Sequence, residues 1–165
     1  MTAASTFEAA GLVPQIVRER RFLQPGQLHV TTTPTAITTI LGSCVAVCLW
    51  DPVRRIGGMN HYMLPHPSAG NAAGPRFGAF ALEELLTQMR AAGAKLPFLR
   101  ARVFGGACMF QTMQAPTHLG VQNAELALDF LSRRAIEVVE VETGGNRGRK
   151  LIFFTDEGSA CLNSI

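Results

Sequence analysis

Charge is scarce in this 165-residue chain: Asp, Glu, Lys and Arg together make up 16% of it, while 47% is hydrophobic. That ratio excludes a largely disordered protein and leaves enough apolar material for one buried core. Long hydrophobic runs are also missing, so no segment is expected to insert in or cross a bilayer. A secretory signal is not expected either, because the first twenty residues hold Glu8, Arg18, Glu19 and Arg20 without an apolar stretch. Concentrated basic tracts are absent. The net charge of +3 is spread over scattered residues, with small mixed groups at 18–21 and 147–150. Neither group is interleaved with aromatics, which argues against nucleic-acid binding. The chain has four cysteines but no C-x-x-C pair, so structural zinc is not expected, and reduced thiols in a cytoplasmic protein are the default.

What is present reads as alternating strands and helices. Residues 1 to about 26 look like an irregular or partly helical arm ending in Gln24-Pro25-Gly26. Leu28–Thr33 and Thr35–Leu41 are β-like, and Val45–Trp50 is a continuous apolar run of strand length, as expected of a buried strand. Asp51-Pro52 signals a type I turn, and Ile56–Leu64 reads as the returning strand. Pro65–Pro75 is a loop. Phe77, Phe80, Ala81, Leu85 and Met89 recur at helical spacing and Gly93 closes that helix. A strand follows over Phe98–Phe104, then a helix with Asn123 as N-cap, then strands over Ile136–Val141 and Lys150–Thr155. The order predicts one α/β (α+β) domain of mixed, mainly antiparallel sheet layers flanked by two main helices.

The chemistry centres on Leu41-Gly42-Ser43-Cys44 and His61. If Asp51–Arg54 is the hairpin loop, Trp50 pairs with Arg55 and Cys44 falls directly opposite His61, on one face of the sheet. A one-residue slip would part them, and Gly57-Gly58 could carry a bulge. A thiol becomes a strong nucleophile when a nearby imidazole takes its proton, and Gly42-Ser43 would permit a tight turn whose N–H groups face a developing oxyanion. Spacing alone leaves another reading open, in which Cys44 is a small buried side chain and His61 a core histidine. Cys48, Cys108 and Cys161 read as core, and His29, His66 and His118 as surface or loop residues. Gly105-Gly106 and the 144–148 glycines match no phosphate-binding fingerprint and read as turns.

The chain resembles the CheD family of chemoreceptor glutamine deamidases. The matching pieces are Leu41-Gly42-Ser43-Cys44-Val45, Gly57-Gly58-Met59-Asn60-His61, Met63-Leu64-Pro65, Val103-Phe104-Gly105-Gly106-Ala107 with Met109, Gly120 with Asn123, and Gly144-Gly145 with Gly148-Arg149-Lys150. The resemblance covers about 28–158, so the chain divides into an N-terminal arm over 1–26, which has no counterpart in the family, and a CheD-like deamidase domain over 27–165. The resemblance implies Cys44 as nucleophile, His61 as base and Thr38, six positions before the cysteine and next to Thr39, as the residue orienting His61. Gly42 and Ser43 would supply backbone support for the oxyanion. The implied reaction converts glutamine side chains of methyl-accepting chemotaxis receptors to glutamate with release of ammonia, without metal or organic cofactor. Receptors are the implied partners, with a CheC-type phosphatase where one exists. A non-catalytic adaptor on the same fold is the alternative. One position departs from the family pattern: Gln122 stands where an arginine is expected.

Overall fold

The computed structural model describes residues 14–110 and 118–165; the first half of the expected N-terminal arm lies outside them. Nine strands and two helices follow in order: β1 (Glu19–Phe22), β2 (Leu28–Thr31), β3 (Thr35–Leu41), β4 (Val45–Asp51), β5 (Ile56–Asn60), α1 (Gly78–Ala91), β6 (Arg100–Gly105), α2 (Leu119–Arg133), β7 (Glu137–Thr143), β8 (Arg149–Phe154) and β9 (Ser159–Ser164). They form a five-stranded sheet in the order β2-β5-β4-β6-β7 and a four-stranded sheet in the order β1-β3-β8-β9. Among the strands of the described residues, only β1–β3 and β6–β7 pair in parallel. The α+β class with mainly antiparallel layers and two main helices is thus the observed one.

Strand β4 is apolar from Val45 to Trp50 because it is buried on both faces. Val45, Val47 and Leu49 pack with Leu82, Leu85, Met89 and Leu131 of the helices. Ala46 and Cys48 face the other way, into a second core with Ile37, Leu41, Leu151 and Phe153 of the smaller sheet. Period-two side-chain alternation therefore distributes one strand between two cores, and the layers stack as helices, large sheet, small sheet.

The central hairpin differs from expectation in its register. Asp51 stays in β4 and pairs with Ile56, so the loop is 52–55 and every pair shifts by two: Cys48 opposes Met59, and Val45 bridges to Tyr62. The Asp51 side chain explains this. One carboxylate oxygen accepts from the Val53 and Arg54 amides at 3.0 and 3.1 Å, and the other from the Lys95 amide at 3.0 Å and the Arg54 guanidinium. The pairing runs without a bulge through Gly57-Gly58. Both glycines are needed for packing instead: a Cβ on Gly57 would meet Thr155, and one on Gly58 would meet Val30.

Four other expectations are corrected. The arm contains a strand, β1, and the chain closes with β9; both are edge strands with largely exposed residues, which carry no apolar alternation to read. Helix α2 begins at Leu119, where the His118 side chain accepts from the Gly120 amide as N-cap, and Asn123 lies inside the helix. Cys48 is buried as expected, but Cys108 is half-buried and Cys161 exposed. His29 sits half-buried in β2, within the strand expected over 28–33.

Asp51 also makes a pH-dependent contribution to stability. Burial alone would raise its pKa, but the Lys95 and Arg54 amides, the Arg54 guanidinium and the Val53 amide together hold it below the ordinary carboxylate value. A depressed folded-state pKa stabilises fully above the unfolded value of about 3.9 and loses that contribution as pH falls through the folded value. We predict that Asp51→Asn lowers stability at pH 7 by about 1–3 kcal/mol. The variant should also lose less of its remaining stability than the parent on acidification, as measured by urea unfolding at several pH values.

Candidate active site

Just before β4, between the two sheets, Cys44 and His61 share one face, and His61 meets a threonine. A register shift of two preserves side-chain parity, so Cys44 and His61 still share a face, now as diagonal neighbours instead of a direct pair; diagonal β-carbons on paired strands lie up to about 7–8 Å apart. That face looks toward the small sheet, and Cys44 packs at the edge of its core while remaining half-exposed.

The threonine that meets His61 is Thr39, not Thr38. Ile37, Thr39 and Leu41 point inward from β3, while Thr38 and Ile40 point outward. Thr39 is fully buried, with Oγ1 at 2.7 Å from His61 Nδ1 and 2.8 Å from the Leu23 carbonyl. These two distances fix the direction of the protons. A carbonyl can only accept, so the single hydroxyl proton of Thr39 goes to Leu23, and Oγ1 must accept from His61. His61 is therefore protonated on Nδ1, and Nε2 carries the free lone pair. Nε2 is buried and has no hydrogen-bond partner among the described residues.

Residues 23–27 hold this arrangement from the N-terminal side. Leu23 is buried and its amide donates to the Thr38 carbonyl at 2.9 Å. The His61 amide donates to Gln27, and the His61 carbonyl accepts from Gly26. Further out, Arg18 forms two hydrogen bonds with Asp156, at 2.7 and 2.9 Å, which anchor the arm to the loop after β8. The charged sequence of β1 gave no hint that the segment following it would position a histidine.

The segment carrying Cys44 is equally constrained. Ala107 N–H donates to the Gly42 carbonyl and Gly106 N–H to the Cys44 carbonyl. A Cβ on Gly105, whose φ is +110°, would collide with the Cys44 carbonyl oxygen. The Gly105-Gly106 turn thus seats the cysteine loop. Asn123, read from sequence as a helix cap, is fully buried and donates through Nδ2 to the Ser43 and Met63 carbonyls at 3.1 and 2.8 Å. The side chains of Met63 and Met109 are exposed beside the loop, and Met109 Sδ approaches Gly42. Among the described residues no group of three or more His, Cys, Asp or Glu is placed to hold a metal ion.

Burial sets the protonation states. It raises the Cys44 thiol above its ordinary value, opposed only by the cysteine's own amide, and lowers His61 to about 4. At neutral pH the two are a thiol and a neutral imidazole, not the ion pair that a catalytic Cys/His arrangement suggests from sequence. Because the folded-state pKa of His61 lies below the unfolded value of about 6.5, its contribution to stability is complete above that pH and is lost as pH falls toward about 4. We predict that nitrogen-15 NMR at pH 7 finds His61 with Nδ1 protonated and Nε2 bare, titrating near pH 4. Thr39→Val should abolish that tautomer preference, and Thr38→Val should leave it intact. A His61 pKa near 6.5 in the parent would contradict the geometry.

Comparison with known proteins places this architecture. A family model described as CheD chemotactic sensory transduction matches residues 63–164. The Probable chemoreceptor glutamine deamidase CheD 1 of Anaeromyxobacter dehalogenans is 46% identical over 149 residues, covering 90% of this chain and 86% of its own length. The Probable chemoreceptor glutamine deamidase CheD of Trichlorobacter lovleyi is 47% identical over 141 residues, with coverage of 86% and 88%. A match to 90% of this chain necessarily takes in positions 44 and 61. Among solved structures, the Bacillus licheniformis hypothetical protein YfiH superposes with a TM-score of 0.47 at 17% identity, over 72% of this chain and about half, 51%, of that one. With the family model spanning more than half of the chain and relatives near half identity along most of it, the chain belongs to the CheD family of chemotactic sensory transduction proteins.

Proposed function

We propose that this protein is a cysteine-dependent chemoreceptor glutamine deamidase, in which Cys44, His61 and Thr39 act as nucleophile, base and orienting residue. The observation that carries the mechanism is the chain of hydrogen bonds from His61 Nδ1 through Thr39 to the Leu23 carbonyl, which leaves Nε2 as the proton acceptor. The names of the relatives supply the substrate class.

In this mechanism the glutamine carboxamide approaches Cys44, and His61 Nε2 takes the thiol proton as sulfur bonds to the carboxamide carbon. The C=O π pair moves to oxygen, and backbone N–H groups at Ser43 and Cys44 receive the oxyanion. When the intermediate collapses, the C–N bond breaks and the imidazolium proton goes to the leaving nitrogen, releasing ammonia and a thioester. Water then attacks the thioester, again through His61, giving glutamate and the free thiol. Every step is proton transfer or acyl transfer, so the chain's own residues suffice. A neutral pair at rest fits this route, since the proton need move only as the sulfur attacks.

Met63 and Met109 give the nucleophile an apolar rim, suited to packing against side chains that flank a glutamine on a helical surface. We assign the substrate to the cytoplasmic helical region of receptors, which puts the protein in the cytoplasm; no helix among the described residues is long and apolar enough to cross a membrane. A CheC-type phosphatase is a further proposed partner.

The test is mass spectrometry of receptor fragments incubated with the protein. Glutamine-to-glutamate conversion is expected with the parent and absent with Cys44→Ala, while His61→Ala slows it by about 10²–10⁴-fold. Thr39→Val should slow conversion more than Thr38→Val. Full conversion by folded Cys44→Ala would refute the mechanism and leave a binding role.

A further inference from the structure

Two successive peptide groups lead into Cys44: Gly42–Ser43 and Ser43–Cys44. In a trans peptide the C=O and N–H point in opposite directions, so whatever anchors the carbonyl also aims the amide. The Gly42 carbonyl is held by Ala107 N–H at 2.9 Å, and the Ser43 carbonyl by Asn123 Nδ2 at 3.1 Å. The opposite ends, Ser43 N–H and Cys44 N–H, donate to no other residue among those described, and the Cys44 amide faces its own thiol.

We propose that Asn123 is a positioning residue that builds the oxyanion hole: by fixing the Ser43 carbonyl it turns the Cys44 N–H toward the place where an attacked carbonyl oxygen develops its charge. Its side-chain orientation is forced, because the two groups facing its amide nitrogen are both carbonyls and a flipped amide would set oxygen against oxygen. The second of these, Met63, lies two residues beyond His61, so one carboxamide ties the segment before the nucleophile to the segment after the base. The Tyr62 hydroxyl in turn donates to the Asn123 carbonyl. Helix α2 comes close enough for this because glycine faces glycine. A Cβ on Gly106 would lie 2.6 Å from the Gly120 carbonyl oxygen, and one on Gly120 would collide with the Gly106 carbonyl.

This inference rests on the reading of Cys44 as nucleophile, and the experiment separates the two. Acylation of Cys44 by p-nitrophenyl acetate passes through a tetrahedral oxyanion, whereas alkylation by iodoacetamide is a direct displacement that needs no hole. Both rates are read at Cys44 by peptide-resolved mass spectrometry, which keeps Cys108 and Cys161 apart. Asn123→Ala is expected to slow acylation by at least about tenfold and to leave alkylation within about threefold. Equal slowing of both reactions would overturn the positioning role. If instead Cys44 of the parent is acylated no faster than exposed Cys161, the nucleophile reading itself fails. Should Asn123→Ala not fold, the parent protein decides through its hemithioacetal with a glutamine-derived aldehyde. Forming that adduct should shift the Ser43 and Cys44 amide proton resonances downfield and leave those of Gly106 and Ala107 nearly fixed. Unmoved Ser43 and Cys44 amides would refute the proposal.

Discussion

The structure depends on the burial of β4 against two layers at once. Its alternate side chains are committed to different cores, so the strand can neither slide by one residue nor rotate without exposing one set and stranding the other. That rigidity is passed on. The position of Cys44 at the strand's leading end, the face on which it emerges and the approach of the small sheet all follow from how β4 is seated. An apolar run that looks unremarkable as composition therefore fixes the candidate catalytic geometry.

On that frame, direction is imposed by groups with a single chemical option. A backbone carbonyl can only accept, and a hydroxyl has one proton to give, so the Leu23 carbonyl, by taking the Thr39 proton, decides the tautomer of His61. The same logic operates on the other side of the site, where peptide carbonyls before Cys44 are taken by Ala107 and Asn123. Proton acceptor and proton donors are thus both set by bonds made behind them. The N-terminal segment belongs to this machinery, although in sequence it looks like a dispensable lead-in.

How much of this could be read beforehand follows from what each feature leaves in the sequence. The central hairpin, both helices and the Cys44/His61 pairing on one face were legible, because a continuous apolar run, an Asp-Pro turn and helical spacing are strong local signals. The hairpin register was not, because the Asp51 carboxylate captures the turn amides from within the strand, and that depends on Lys95, far along the chain. The observed register differs by an even number of residues, so Cys44 and His61 keep the shared face. Thr38 and Thr39 are adjacent and alike in chemistry, and Ile37, Ile40 and Leu41 do not alternate cleanly enough to say which threonine faces inward. Asn123 has the composition of a helix cap, and its true partners lie 60 and 80 residues away. Edge strands β1 and β9 carry polar residues suited to solvent, and so look like coil.

The neutral resting pair has a consequence for survival of the thiol. Peroxide and stray electrophiles attack thiolates, and a thiol whose pKa is raised by burial presents little thiolate to them. A cysteine that is half-exposed and flanked by two exposed methionines would otherwise be an easy oxidative target. In the proposed mechanism the proton stays on sulfur until a carbonyl arrives to accept the electrons, so a nucleophile would stand ready over long idle periods, switched on by the substrate's own geometry.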